Sequence, residues 1–158
     1  MSDVLRLISA NPGDLPKVLD GILVRAAALT DADGGTITIR HGDRRRIEAV
    51  YGIAADFMGI ETAVAEMSPK SEAAIAQHAP MFTDDAMVAG YGIPQVDELI
   101  RIHNIRSMVN VALILDGEFI GTLVVSRKQV RPFDQRSGQV LQAFADQASI
   151  AIANARLR

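Results

Sequence analysis

The chain has 158 residues, 49% of them hydrophobic, with 16 basic and 19 acidic side chains for a net charge of −3, and no cysteine. That length supports one domain with its own core and no covalent staples, and the missing thiols exclude disulfides, thiolate metal sites, a cysteine nucleophile and any thioether-linked chromophore. The weak negative charge offers no bulk attraction to nucleic acid or an anionic membrane. No apolar run approaches the ~20 residues of a membrane span, and the opening MSDVLRLISANPGD lacks a signal-peptide layout, so a cytoplasmic domain without membrane insertion is expected.

In chain order, a short apolar segment (Val4, Leu5, Leu7, Ile8) closes at Asn11-Pro12-Gly13. From Asp14 a helix is predicted, with Pro16 tolerated in its first turn and Leu15, Val18, Leu19, Ile22, Leu23, Ala26 and Leu29 recurring at helical spacing. Asp31 to Gly35 ends it. Thr36–Arg40 and Arg46–Tyr51 alternate as strands about His41-Gly42-Asp43, a hairpin in which Arg44-Arg45-Arg46 reads as a solvated turn rather than a phosphate site. Gly52 to Met67 has no sustained period. Ser68-Pro69 opens a short helix from Lys70 to His78, Met81-Phe82-Thr83 reads as an edge strand, Asp84 to Gly92 as loop, and Pro94 starts a helix through His103.

The most informative stretch is Ser107–Arg127, SMVNVALILDGEFIGTLVVSR, in which two aliphatic runs flank Asp116-Gly117, the pairing of a two-residue primed turn. Counting from that turn, Leu115 faces Glu118, Leu113 faces Ile120 and Asn110 faces Leu123. Both resulting faces are apolar, so the hairpin belongs mid-sheet with cover on each side. Arg131-Pro132-Phe133 breaks the strand, Asp134 is the expected N-cap, and a helix from Gln135 to Arg158 carries one stripe of Leu141, Ala145, Ala148, Ile152 and Ala155 beside a second of Val140, Phe144, Gln147 and Ala151. Two stripes exceed what one sheet face needs. They imply a parallel homodimer through the terminal helices, with Ala148 on the intersubunit side, and Ala155-Arg156-Leu157, still in pattern with no Gly or Pro stop, imply a helix that continues beyond Arg158 as a signalling helix.

These residues resemble a GAF domain. The likeness is carried by Ile105-Arg106-Ser107 leading into Val109–Leu113, by Asp116-Gly117-Glu118-Phe119-Ile120-Gly121, by Arg131-Pro132-Phe133-Asp134, and above all by LQAFADQASIAIANARL over residues 141–157. It implies an α+β fold over 1–158 with its core at about 14–157. The central antiparallel sheet would have five to six strands in the order 2-1-5-4-3, with terminal helices on one face and short helices and loops forming a ligand pocket on the other. Function then follows as an expectation: a non-catalytic small-molecule sensor within a signalling protein such as a sensor histidine kinase of a two-component system or a nucleotide cyclase. A ligand-free dimerisation spacer is the competing reading. Haem-binding and cyclic-nucleotide-binding sensors fit less well, because no histidine but His103 is placed to reach the pocket and the nucleotide-binding signature is not identifiable. The GAF enzyme that reduces free methionine sulfoxide needs redox thiols this chain lacks.

The pocket is expected between the sheet and Phe82–Arg106, with Tyr91, His103, Arg106 and Asn110 as polar candidates and Phe57 and Met58 closing it from the other side. His103 at a helix terminus also reads as a cap or surface residue, and Asn110, a mid-strand amide, must find a partner in a neighbouring side chain, water or a ligand. Asp84-Asp85 lacks the opposed second group that catalysis needs. Met58, Met67, Met81, Met87 and Met108 fit an adaptable lining and equally a filled irregular core.

Overall fold

The computed structural model describes residues 14–156; the apolar segment expected before Asn11 and the last two residues of the terminal helix lie outside them. The chain runs through α1 (Leu15–Leu29), β1 (Gly34–His41), β2 (Arg44–Gly52), β3 (Glu61–Ala63), α2 (Pro69–Ala76), β4 (Met81–Thr83), α3 (Ala86–Ala89), α4 (Pro94–Ile102), β5 (Ser107–Leu115), β6 (Glu118–Arg127) and α5 (Gln135–Arg156), with 3-10 turns at Ala55–Phe57 and Val64–Glu66. Four elements escaped the sequence reading. These are β3, α3 and the 3-10 turns, each too short to show a period.

All strands join one antiparallel sheet in the order β3-β2-β1-β6-β5-β4. With β3 set aside this is the expected order, and β3 is one extra strand on the β2 edge. The sheet is covered on both sides. One face carries α1 and α5, packed on Ile37, Val109, Val111, Leu113, Leu123 and Val125. The other carries the short helices, around a second cluster that includes Phe57, Ile60, Val96, Ile100, Met108 and Val124.

Asp116 and Gly117 adopt φ of 51° and 81°, as the primed turn requires. The register beyond it departs from simple counting: Leu115 pairs with Glu118 and Ile114 with Phe119, but Leu113 pairs with Gly121 and Asn110 with Val124. Ile120 is the extra residue of a bulge. Because side chains alternate, one added residue moves the rest of β6 to the opposite face. Leu123 and Val125 therefore join the helix-covered core, while Thr122 and Val124 face the short helices with Asn110. Gly121 is obligatory there, since a Cβ would lie 2.2 Å from the Thr38 carbonyl oxygen.

Asp134 caps α5, its Oδ1 accepting the Ser137 N–H at 2.9 Å. Gly138 lets the first turn of α5 close on β4, where a Cβ would meet Pro80 Cγ at 2.9 Å and Phe82 Cζ at 3.1 Å. Ala148 is 0% exposed and belongs to the core shared by α1, α5 and the sheet, which corrects its placement on an intersubunit side. The stripe of small residues accommodates α1 and the protein's own sheet. Among the described residues no helix is long and apolar enough to cross a membrane.

Candidate functional site

Between the sheet and the short helices lies a cavity of about 320 Å³. Its floor is made by pocket-facing residues of the central strands, including Thr36 and Thr38 of β1, Asn110 and Ala112 of β5, and Thr122 and Val124 of β6. Its cover includes Phe57, Ile75, Ala86, Tyr91, Val96 and Ile100. Most of the wall is apolar. A few polar side chains project into it, the composition typical of small-molecule sites.

Tyr91 is held from both ends. It sits between Gly90 (φ 72°) and Gly92 (φ 81°) in the link from α3 to α4. Asp97, in the first turn of α4, accepts the Tyr91 N–H at 2.6 Å and the Gly92 N–H at 3.1 Å, which fixes the loop. At the other end the Tyr91 hydroxyl accepts a hydrogen bond from Asn110 Nδ2 at 2.8 Å. Burial raises the phenol above its ordinary pKa, so it stays neutral. Asn110 thus finds the partner that a mid-strand amide demands, but only for half of its amide: its Oδ1 is buried with no partner.

Arg45 is the residue the sequence reading missed. The basic run is not a turn; it opens β2, and only Arg44 and Arg46 are exposed. Arg44 pairs with Glu61 at 3.0 Å. Arg45 shares its face with Ile47 and enters the cavity wall, donating from Nη2 to Thr62 Oγ1 across the β2–β3 ladder at 3.1 Å. Its Nε is buried and unpartnered. Desolvation lowers its pKa, opposed by the nearby Tyr91 and Glu66; an arginine remains a cation there. The usable signal was parity: Arg45 and Ile47 are two apart, and Ile47 is an inward residue of an alternating strand.

Of the seven expected site residues, the structure brings Phe57, Tyr91 and Asn110 together in the cavity wall. Met58, Phe82, His103 and Arg106 lie elsewhere. Met58 ends a 3-10 turn and is 55% exposed. Phe82 alternates with Met81 and Thr83, so those two line the cavity while Phe82 packs into the opposite core near α5. His103 caps α4, with Nε2 2.8 Å from Asp56 Oδ2. Arg106 forms a two-pronged pair with Asp85, Nε to Oδ1 at 2.9 Å and Nη2 to Oδ2 at 2.6 Å. That pair clamps the start of α3 to the chain entering β5, where the Ala86 N–H also bonds the Arg106 carbonyl at 2.6 Å. Among the described residues no three of His, Cys, Asp and Glu gather as a metal-ligand set.

A sheet with paired long helices on one face and a covered cavity on the other defines a class of domains built on an antiparallel α+β scaffold. The family model for the GAF domain matches residues 13–153, and the chain belongs to that family. Solved structures of similar fold include a far-red cyanobacteriochrome photoreceptor (TM-score 0.77, 18% identity, covering 96% of this chain and 92% of that one). The GAF domain of a phosphoenolpyruvate-protein phosphotransferase from Coxiella burnetii gives a TM-score of 0.73 at 19% identity, covering 98% and 94%. A GAF domain/HD domain protein from Geobacter sulfurreducens gives 0.77 at 13% identity, covering 94% and 98%. At such identities the likeness is one of fold.

Proposed function

We propose that this is a regulatory, non-catalytic GAF domain that senses a small molecule in its cavity and passes the bound state to an output domain through α1 and α5. The observation that carries the reading is the polar set inside a mostly apolar cavity, with Asn110 half-satisfied by Tyr91 and Arg45 unpartnered at Nε. A pure spacer has no use for a buried, incompletely paired amide and guanidinium, which cost stability when empty. The absence of cysteine supports a regulatory role over thiol-based reductase chemistry. Native mass spectrometry of the purified protein, followed by thermal-shift screening of the emptied domain against fractionated small-molecule extract, tests the proposal. A domain that emerges empty and whose Tm no fraction moves is a spacer.

Within this reading the functional unit is a homodimer that packs the outward sides of the terminal helices, where Val24 and Ile150 are exposed. Ile150→Glu, unlike Ala148→Glu, leaves the core intact and should convert dimer to folded monomer in light scattering. Wild-type protein that is monomeric at millimolar concentration would sink the dimer.

A further inference from the structure

We propose that the cavity ligand is an amphipathic monocarboxylate: an apolar body bearing one carboxylate, which pairs with the Nε edge of Arg45, and one uncharged polar group, which meets the free amide atom of Asn110. This inference rests on the sensor reading and deepens it.

Charge sets the first part. The charged side chains that reach the cavity are Arg45, Lys70 and Glu66, two cations against one anion, so the surroundings balance a single negative charge. Lys70 is exposed at the margin and already donates to the Phe82 carbonyl at 3.0 Å. Glu66 is exposed as well, with Oε1 accepting the Ala63 N–H at 2.7 Å. Arg45 alone presents a buried donor with no acceptor. A guanidinium offers its Nε and neighbouring Nη as a planar edge matched to two carboxylate oxygens. A dianionic phosphoryl group would bring a second charge with no second interior cation to meet it.

Asn110 sets the second part. Its Nδ2 is spent on Tyr91 and its Oδ1 faces no partner. Turning the amide end for end exchanges the two atoms and still leaves one of them free, because a phenol hydroxyl can donate as well as accept. Tyr91 bonds this amide and feels the charge of Arg45, so the three polar groups act together, and the mostly apolar remainder of the wall is left for the apolar body. A cavity of about 320 Å³ is at the lower end of ligand-site sizes, which suits about ten to fifteen non-hydrogen atoms.

The test uses matched pairs: hexanoate, phenylacetate and 4-hydroxyphenylacetate, each beside its uncharged primary amide, measured by calorimetry and by thermal shift. The acids are expected to bind more tightly than their amides by about tenfold or more, with 4-hydroxyphenylacetate ahead of phenylacetate. Arg45→Met should erase the preference for acids while the unliganded protein keeps its circular dichroism and a Tm no lower than wild type, and Arg45→Lys should keep part of it. Amides that bind as well as acids, or an acid preference that survives Arg45→Met, overturn the carboxylate assignment while leaving the cavity a ligand site. Acid preference without any gain from the hydroxyl overturns the role given to Asn110. If no acid and no amide binds while an extract fraction still raises Tm, this inference falls and the sensor reading stands; if no fraction moves Tm either, both fall.

Discussion

The guanidinium of Arg127 lies over the ring of Phe133, 3.9 Å from its centroid, and from there ties three segments together. Its Nη2 donates to the Thr30 carbonyl at 2.8 Å, Nε to the Asp31 carbonyl at 3.0 Å and Nη1 to the Arg131 carbonyl at 2.6 Å. The end of α1, the end of β6 and the approach to α5 thus share one side chain that is 6% exposed. Desolvation lowers its pKa, but the carbonyls and the aromatic face replace much of the lost hydration. Replacing Arg127 with Met leaves four carbonyls, those of Thr30, Asp31, Arg131 and Pro132, without this donor, and a loss of about 3 kcal/mol in urea denaturation is expected. Lysine should not rescue, because one ammonium cannot span that fork and stack. An Arg127→Met protein as stable as wild type would show that water replaces the guanidinium freely.

Tyr91 and Asn110 should be energetically coupled. Tyr91→Phe removes the acceptor of Asn110 Nδ2 and leaves the whole amide unpaired, at a cost of about 1–2 kcal/mol. Adding Asn110→Val removes the orphaned group and should recover most of that loss, because two apolar partners can replace a hydrogen-bonded pair almost neutrally. A double-mutant cycle in urea reads the coupling directly. Strict additivity would mean the bond contributes nothing to the fold.

Acid should loosen the clamp over the cavity. The hydrogen bond from Arg106, with help from backbone N–H groups of the following turn, holds Asp85 below the ordinary carboxylate pKa. The folded state therefore binds fewer protons at this site than the unfolded chain, so its contribution is complete above the unfolded value of about 3.9 and disappears as pH falls through the folded value. Asp134, lowered by its cap to Ser137, titrates in the same direction. Asp85→Asn should therefore be less stable than wild type at pH 7 and show a smaller further loss between pH 5 and pH 3. Parallel stability curves for the two proteins across that range would refute the assignment.

The fold was legible because its signals are long or chemically specific. The periodic stripes of α1 and α5 and the Asp116-Gly117 turn each leave a pattern over many residues or a demand that few residues meet. The site was legible only in part, because a cavity wall is assembled by parity across several strands, and parity is fragile. The bulge at Ile120 reverses the facing of β6, and Phe82, the first residue of the expected pocket wall, points away while Met81 and Thr83, its neighbours on either side, point in. Arg45 was hidden inside a run of three identical residues whose middle member alone lies inward. His103 and Arg106 sit where helix and strand ends were expected, yet their side chains are engaged by Asp56 and Asp85 at the margins, contacts with no local sequence signature.

One contact bears on how thin this molecule is where it matters. Gln142 of α5 donates from Nε2 to the Ala112 carbonyl at 3.2 Å, and the side chain of Ala112 lines the cavity on the reverse side of the same strand. The partition between the cavity and α5 is a single β-strand at that point, gripped from behind by an amide. A diaphragm of one peptide thickness needs no relay of residues to carry a displacement: a tilt of β5 by a fraction of an ångström on one side is the same tilt on the other. Under the sensing role proposed above, the width of the gap a signal would cross is therefore set by the backbone itself, whatever side chains line either face.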